Sequence, residues 1–140
     1  MKLPNIVLST ILVFLFIGCS SSTPSPYSIN VQKNNGAIII YRPDNNIWRY
    51  KRFNIYINDK YVDMLRNKSH FIYKTNPGKY TVELKEDIDL NPNNYKVIIS
   101  LNKGKVKYVR LGTDSIEGHL KLKKVRKNTA ISDEWNKKKY

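Results

Sequence analysis

Apolar residues in this chain follow two unlike patterns. Near the N-terminus they form one stretch over residues 6–18, interrupted only by Ser9 and Thr10. From residue 36 onward they come in short runs, several of which alternate with polar residues at a period of two, the mark of a strand with one buried face. Phe53, Ile55 and Ile57 share a face in one run, and Tyr80, Val82 and Leu84 share a face in another. Residues 36–43 form a β-branched run closed by Pro43, and further runs occupy 60–66, 69–75, 95–101, 105–111 and 116–122. No segment between 36 and 125 repeats at the helical period, which disfavours α/β folds with phosphate-binding turns. About seven short strands at this spacing predict an all-β domain, a small antiparallel β-sandwich or a partly open barrel.

Turn residues separate these runs. Asn58-Asp59 joins 53–57 to 60–66 as a hairpin, and Asn67-Lys68 makes the next turn. Pro77-Gly78 reads as a type II turn, since proline presets φ at the first central position and glycine accepts positive φ at the second. The turn Asn102-Lys103-Gly104 is expected to close a second hairpin between 95–101 and 105–111. Residues 86–94, rich in Asp, Asn and Pro, read as a surface loop.

The chain accordingly divides into four parts: residues 1–18, 19–35, 36–125 and 126–140. Met1-Lys2 precedes the apolar stretch, which is too short for a membrane-spanning helix of about 20 residues and suits a secretory signal. Phe16-Ile17-Gly18-Cys19 reads as a lipobox, with cleavage between Gly18 and Cys19 and acyl chains such as palmitate on the cysteine. Cys19 is the single cysteine, so no intramolecular disulfide can form. Residues 19–35, rich in Ser, Pro, Asn and Thr, read as a flexible tether. The expected location is the cell envelope. Ser20 favours the periplasmic face of the outer membrane in a diderm host, and a monoderm host would carry the protein on the outer face of its plasma membrane. Residues 126–140 read as a basic tail in which Ser132 caps a short helix with Asp133 and Glu134 in its first turn, a docking tail or, the preferred reading, a frayed end that the fold can lose.

Four stretches taken in order are Tyr41-Arg42-Pro43, Ile55-Tyr56-Ile57-Asn58-Asp59-Lys60, Pro77-Gly78-Lys79-Tyr80-Thr81-Val82, and Asn102-Lys103-Gly104-Lys105 with the strand after it. Together they resemble the bacterial lipoprotein family called domain of unknown function 2846, over about residues 36–111. The hairpin and Pro-Gly pattern is also similar to the small β-sandwich modules called PEGA domains. The resemblance implies a lipid-anchored β-sandwich of unassigned activity and no functional residues.

Charge is the strongest chemical feature, with 25 Lys and Arg against 11 Asp and Glu and a formal net charge of +14. Lys121, Lys123, Lys124, Arg126 and Lys127 cluster at the end of the domain and point to an anionic partner: lipid, lipopolysaccharide, an acidic glycan or another envelope protein. The abundance of Lys, Asn, Ile and Tyr gives the same charge a compositional explanation. Basic, aromatic-rich β-domains also suggest nucleic acid, but an exported lipoprotein meets little of it. Catalytic chemistry has little to stand on. His70 and His119 lack an acid or nucleophile at a recognisable offset, and Glu83, Glu86, Asp87 and Asp89 read as a solvated acidic turn, without calcium-loop spacing. No cofactor or metal motif is present. Two functions are expected: a binding or structural envelope module, or a small-ligand carrier or accessory subunit of an envelope enzyme. A carrier needs a cavity between its sheets, whereas a docking module needs a filled core and a one-signed surface patch.

Overall fold

The computed structural model describes residues 29–88, 95–113 and 119–135. It contains eight strands and a helix: β1 (Gly36–Arg42), β2 (Phe53–Ile57), β3 (Lys60–Leu65), β4 (Ser69–Thr75), β5 (Gly78–Glu86), β6 (Tyr95–Leu101), β7 (Val106–Thr113), β8 (Leu120–Val125) and α1 (Lys127–Trp135). The strands form two four-stranded sheets, ordered β4-β1-β7-β8 and β3-β2-β5-β6. The chain is therefore a small all-β sandwich, the fold class expected from the sequence. The second sheet is antiparallel throughout, whereas the first contains a parallel pair, β1 with β7.

Between the sheets, side chains at every second position close one core. Ile38 and Ile40 of β1 and Val109 and Leu111 of β7 meet Phe53, Ile55 and Ile57 of β2, Val82 and Leu84 of β5, and Ile99 and Leu101 of β6. All are essentially removed from solvent, and full burial of such side chains stabilises by roughly 1.5–3 kcal/mol each. A second, smaller cluster lies on the outer face of the mixed sheet: Ile39, Tyr41 and Tyr108 with Ala130 of α1, flanked by Ile29, Ile72, Val106 and Val125. This explains why β1 reads Gly-Ala-Ile-Ile-Ile-Tyr-Arg with no alternation and is buried at all seven positions. A strand covered on both faces has no polar side to present.

The two sheets differ in how the chain enters them. Asn58 and Asp59, with φ of 49° and 65°, form the positive-φ pair of a tight hairpin between β2 and β3, and the Asn58 side chain accepts from the Thr81 amide at 2.8 Å. The expected second hairpin is not formed. β6 and β7 lie in different sheets, and residues 102–105 carry the chain across the sandwich. Gly104, at φ 63°, directs its amide to the Asn35 carbonyl at 2.7 Å, and the Ala37 amide reaches Lys105 at 3.1 Å. These bonds start β7 beside the N-terminal end of β1, so the two strands run parallel. Pro77-Gly78 is likewise a crossing, from β4 to β5, and the predicted type II geometry is absent: Gly78 is not at positive φ and opens β5. Both crossings have the composition of hairpin turns, because composition sets the local bend and not the partner that the next strand finds.

The helix also departs from expectation. It begins at Lys127, its first bond running from the Ala130 amide to the Arg126 carbonyl at 3.1 Å, and Ser132 sits inside it, donating back to the Thr129 carbonyl at 2.8 Å. Asp133, expected on a frayed end, instead accepts from the Tyr41 hydroxyl at 2.6 Å and from Arg110 Nε at 2.8 Å. These contacts pin α1 to the mixed sheet.

Strand direction gives the sandwich two distinct ends. The 58–59 hairpin, the 76–77 and 102–105 crossings, the start of β1 and the junction of β8 with α1 share one end. Residues 43–52, 66–68 and 87–88 share the other.

Candidate functional site

At the first of these ends, a cleft of about 620 Å³ is lined by Ile29, Gly104, Lys105, Val106, Lys107, Tyr108, Val125, Arg126 and Lys127. Its walls follow from topology. The parallel β1–β7 pairing places the start of β7 beside the entering chain, and the antiparallel β7–β8 ladder, with Tyr108 opposite Val125, places the end of β8 and the start of α1 on the other side. Four cationic side chains line the cleft, and among the described residues no carboxylate does. Tyr108 forms part of the floor, and burial pushes its phenol above the ordinary tyrosine value. The phenol therefore stays neutral at physiological pH, and the charge of the cleft is that of its lysines and arginine.

The cluster read from residues 121–127 is divided by the strand period. Arg126 and Lys127 line the cleft. Lys121 and Lys123 are exposed on β8 opposite Gly112 and Arg110, on the outer face, whereas Lys124 pairs with Val109, whose side chain belongs to the inner core. Lys105 and Lys107 complete the cleft. The sequence places them in the 105–111 run with no role assigned, and their spacing on either side of Val106 after the Gly104 turn is the available signal. Of the structural turn residues, Gly104 lines the cleft, and Pro77 and Gly78 lie at the crossing nearby. Gly18 and Cys19 fall outside the described residues.

The opposite end is built around Arg42, 1% exposed at the end of β1. Its guanidinium lies 5.2 Å from the Phe53 ring centroid and donates to the Lys51 carbonyl at 2.6 Å and to the Trp48 carbonyl. It thereby clamps residues 43–52 over the core. Burial pulls the Arg42 guanidinium below its ordinary value, and the charge of Glu86 opposes that shift. Glu86 pairs with Lys51 Nζ at 2.6 Å, while Glu86 Oε1 and Arg42 Nε, both buried, have no hydrogen-bond partner among the described residues. A cavity of about 460 Å³ opens beside them, lined by Tyr50, Lys51, Arg52, Glu86, Asp87 and Ile88. Mixed charge distinguishes it from the basic cleft.

The acidic residues read as one solvated turn are distributed along β5 and beyond it. Glu83 is buried on the outer face of the antiparallel sheet with Lys85 and Lys96 each at 3.8 Å, Glu86 belongs to the Arg42 end, and Asp87 accepts from Asn54 at 3.3 Å. Asp89 lies outside the described residues. His70 is half-buried in β4 and His119 is exposed before β8. Among the described residues no three His, Cys, Asp or Glu side chains come together to hold a metal ion, and no helix is long and apolar enough to cross a membrane. A family model described as "Protein of unknown function (DUF2846)" matches residues 32–121, from just before β1 into β8. No curated protein matches the chain.

Proposed function

This chain belongs to the DUF2846 family of proteins of unknown function, and on that premise we propose that it is a lipid-anchored cell-envelope module that docks on an anionic envelope component. Cys19 carries the lipid after cleavage behind Gly18. The observation that supports docking over ligand carriage is the contrast between the filled space between the sheets and the open cleft of Lys105, Lys107, Arg126 and Lys127. A carrier of apolar cargo would hollow the first, whereas a docking module concentrates charge in the second. The reading assigns the domain no catalytic step.

Metabolic labelling with an alkyne palmitate should mark the wild-type chain and leave Cys19→Ala unmarked. Unlabelled wild-type protein would remove the anchor from this reading. For docking, the chain from Ser28 onward holds both hydrophobic clusters, and it should be retained on an acidic polymer matrix at low salt. Exchanging Lys105, Lys107, Arg126 and Lys127 for Gln should release it at lower salt than exchanging Arg66, Lys68, Lys85 and Lys96, which removes equal charge elsewhere. Equal elution of the two variants would make the charge a matter of composition alone.

A further inference from the structure

The entering chain, the turns and the positive charge all meet at one end of the sandwich. Ile29 lines the basic cleft itself, so whatever precedes it departs from that end. Exposed at the same end are Lys33, Lys60, Lys79, Lys103, Lys105 and Lys127, carried by the approach to β1, the 58–59 hairpin, the two crossings and the first residue of α1. Among the described residues, Asp59 is the carboxylate of these turns. The far end mixes signs, with Arg49, Arg52 and Lys68 beside Asp44 and Asp87, and it carries Ile47, Tyr50 and Ile88 exposed at 74%, 88% and 93%.

We propose that the tether end of the sandwich rests on the anionic phospholipid headgroups of the same membrane that holds the lipid on Cys19, with the Arg42 end facing away from that membrane. The inference rests on the anchored-module reading above and names its partner. Chain length carries the argument. About ten peptide steps separate Cys19 from Ile29, which reach no more than about 33–36 Å fully extended and about 16–19 Å as a coil. Such a leash keeps the cationic end close to the bilayer and makes each headgroup contact intramolecular, so modest attraction per lysine suffices. A partner elsewhere in the envelope would have to compete with a surface already within reach. Because the contact is electrostatic, it is confined to about a Debye length and is reversed by salt.

The test uses the mature lipidated chain in vesicles, with the acylation rate of each lysine read by mass spectrometry. At about 50 mM salt, vesicles containing ~30% phosphatidylglycerol should slow Lys60, Lys79, Lys103 and Lys105 at least about fivefold relative to pure phosphatidylcholine vesicles, an effect lost near 500 mM. Lys68, Lys85 and Lys96 should react alike in both. Exchanging Lys103, Lys105 and Lys127 for Gln should restore fast reaction at Lys60 and Lys79 with the melting temperature unchanged. Equal rates in both vesicles, or protection of the far-end lysines instead, would overturn the orientation while leaving the anchor standing. Protection appearing only when a teichoic acid or lipopolysaccharide is added would overturn the choice of partner. A chain that floats with neither vesicle fails the anchor and takes the orientation with it.

Discussion

The two sheets contain similar apolar strands yet treat their outer faces in opposite ways. The mixed sheet turns Ile39, Tyr41 and Tyr108 outward and covers them with α1, so its central strand β1 is buried on both sides. The antiparallel sheet turns Asn54, Tyr56, Glu83, Lys85, Lys96 and Ile98 outward and leaves most of them in contact with water. That face is held by polar pairings, with Lys85 4.6 Å from the Tyr56 ring centroid and Glu83 between two lysines. The two lysines stay largely in water and stand 3.8 Å from the buried carboxylate, so these pairs contribute little each and this sheet depends on the shared core. The mixed sheet has a second source of stability, and that source is a nine-residue helix.

The sharpest way to break this comparison is to remove the helix. Ending the chain after Lys127 uncovers Ile39, Tyr41 and Tyr108 and leaves Arg110 without Asp133. The expected loss is on the order of 3–5 kcal/mol in urea unfolding, with new binding of a hydrophobic dye. An unchanged unfolding midpoint would mean that α1 merely rests on the sheet. A narrower probe places the same substitution on both outer faces. Ile39→Asn puts an amide into the covered cluster and should cost about 2–4 kcal/mol, whereas Ile98→Asn, on the open face, should stay within about 0.5–1 kcal/mol. Equal costs would show that the two faces are alike in energy despite their difference in cover.

The sequence was informative about strands and poor at what covers them, for a physical reason. Period-two alternation is local, and the runs at 53–57, 69–75 and 95–101 match β2, β4 and β6 residue for residue. The unalternating run in β1 reads from sequence as a β-branched strand closed by Pro43; its burial on both sides emerges only from the structure, and its cover could not be found by apolar periodicity. Among the described side chains, helix α1 docks through Ala130 and Asp133, a small residue and a carboxylate. The basic site was half visible for a related reason. Adjacency along the chain grouped Lys121 to Lys127, while the pleat and the register separate Lys124 from Lys123, and the antiparallel β7–β8 register, with Tyr108 opposite Val125, brings Lys105 and Lys107 to Arg126. That register is fixed by the two whole strands and cannot be read from neighbours along the chain.

The finest comparison concerns the two glycine-bearing crossings that carry the chain between the sheets. Gly104 sits at φ 63°, and an added Cβ would meet only the Lys33 carbonyl oxygen, at 3.8 Å, so the cost of a side chain there is one of backbone conformation and not of space. Gly104→Ala should therefore lower stability by about 1–2 kcal/mol, the price of holding an L-residue in the left-handed region. At Gly78 the backbone is outside that region, and an added Cβ would meet the Tyr80 ring at 3.5 Å, an ordinary contact. Gly78→Ala should change stability by no more than about 0.5 kcal/mol, and a small gain is expected because alanine restricts the unfolded chain. Urea midpoints for the two variants decide the matter. A loss at Gly78 as large as that at Gly104 would restore the type II turn at Pro77-Gly78 and, with it, a different entry for β5 into its sheet.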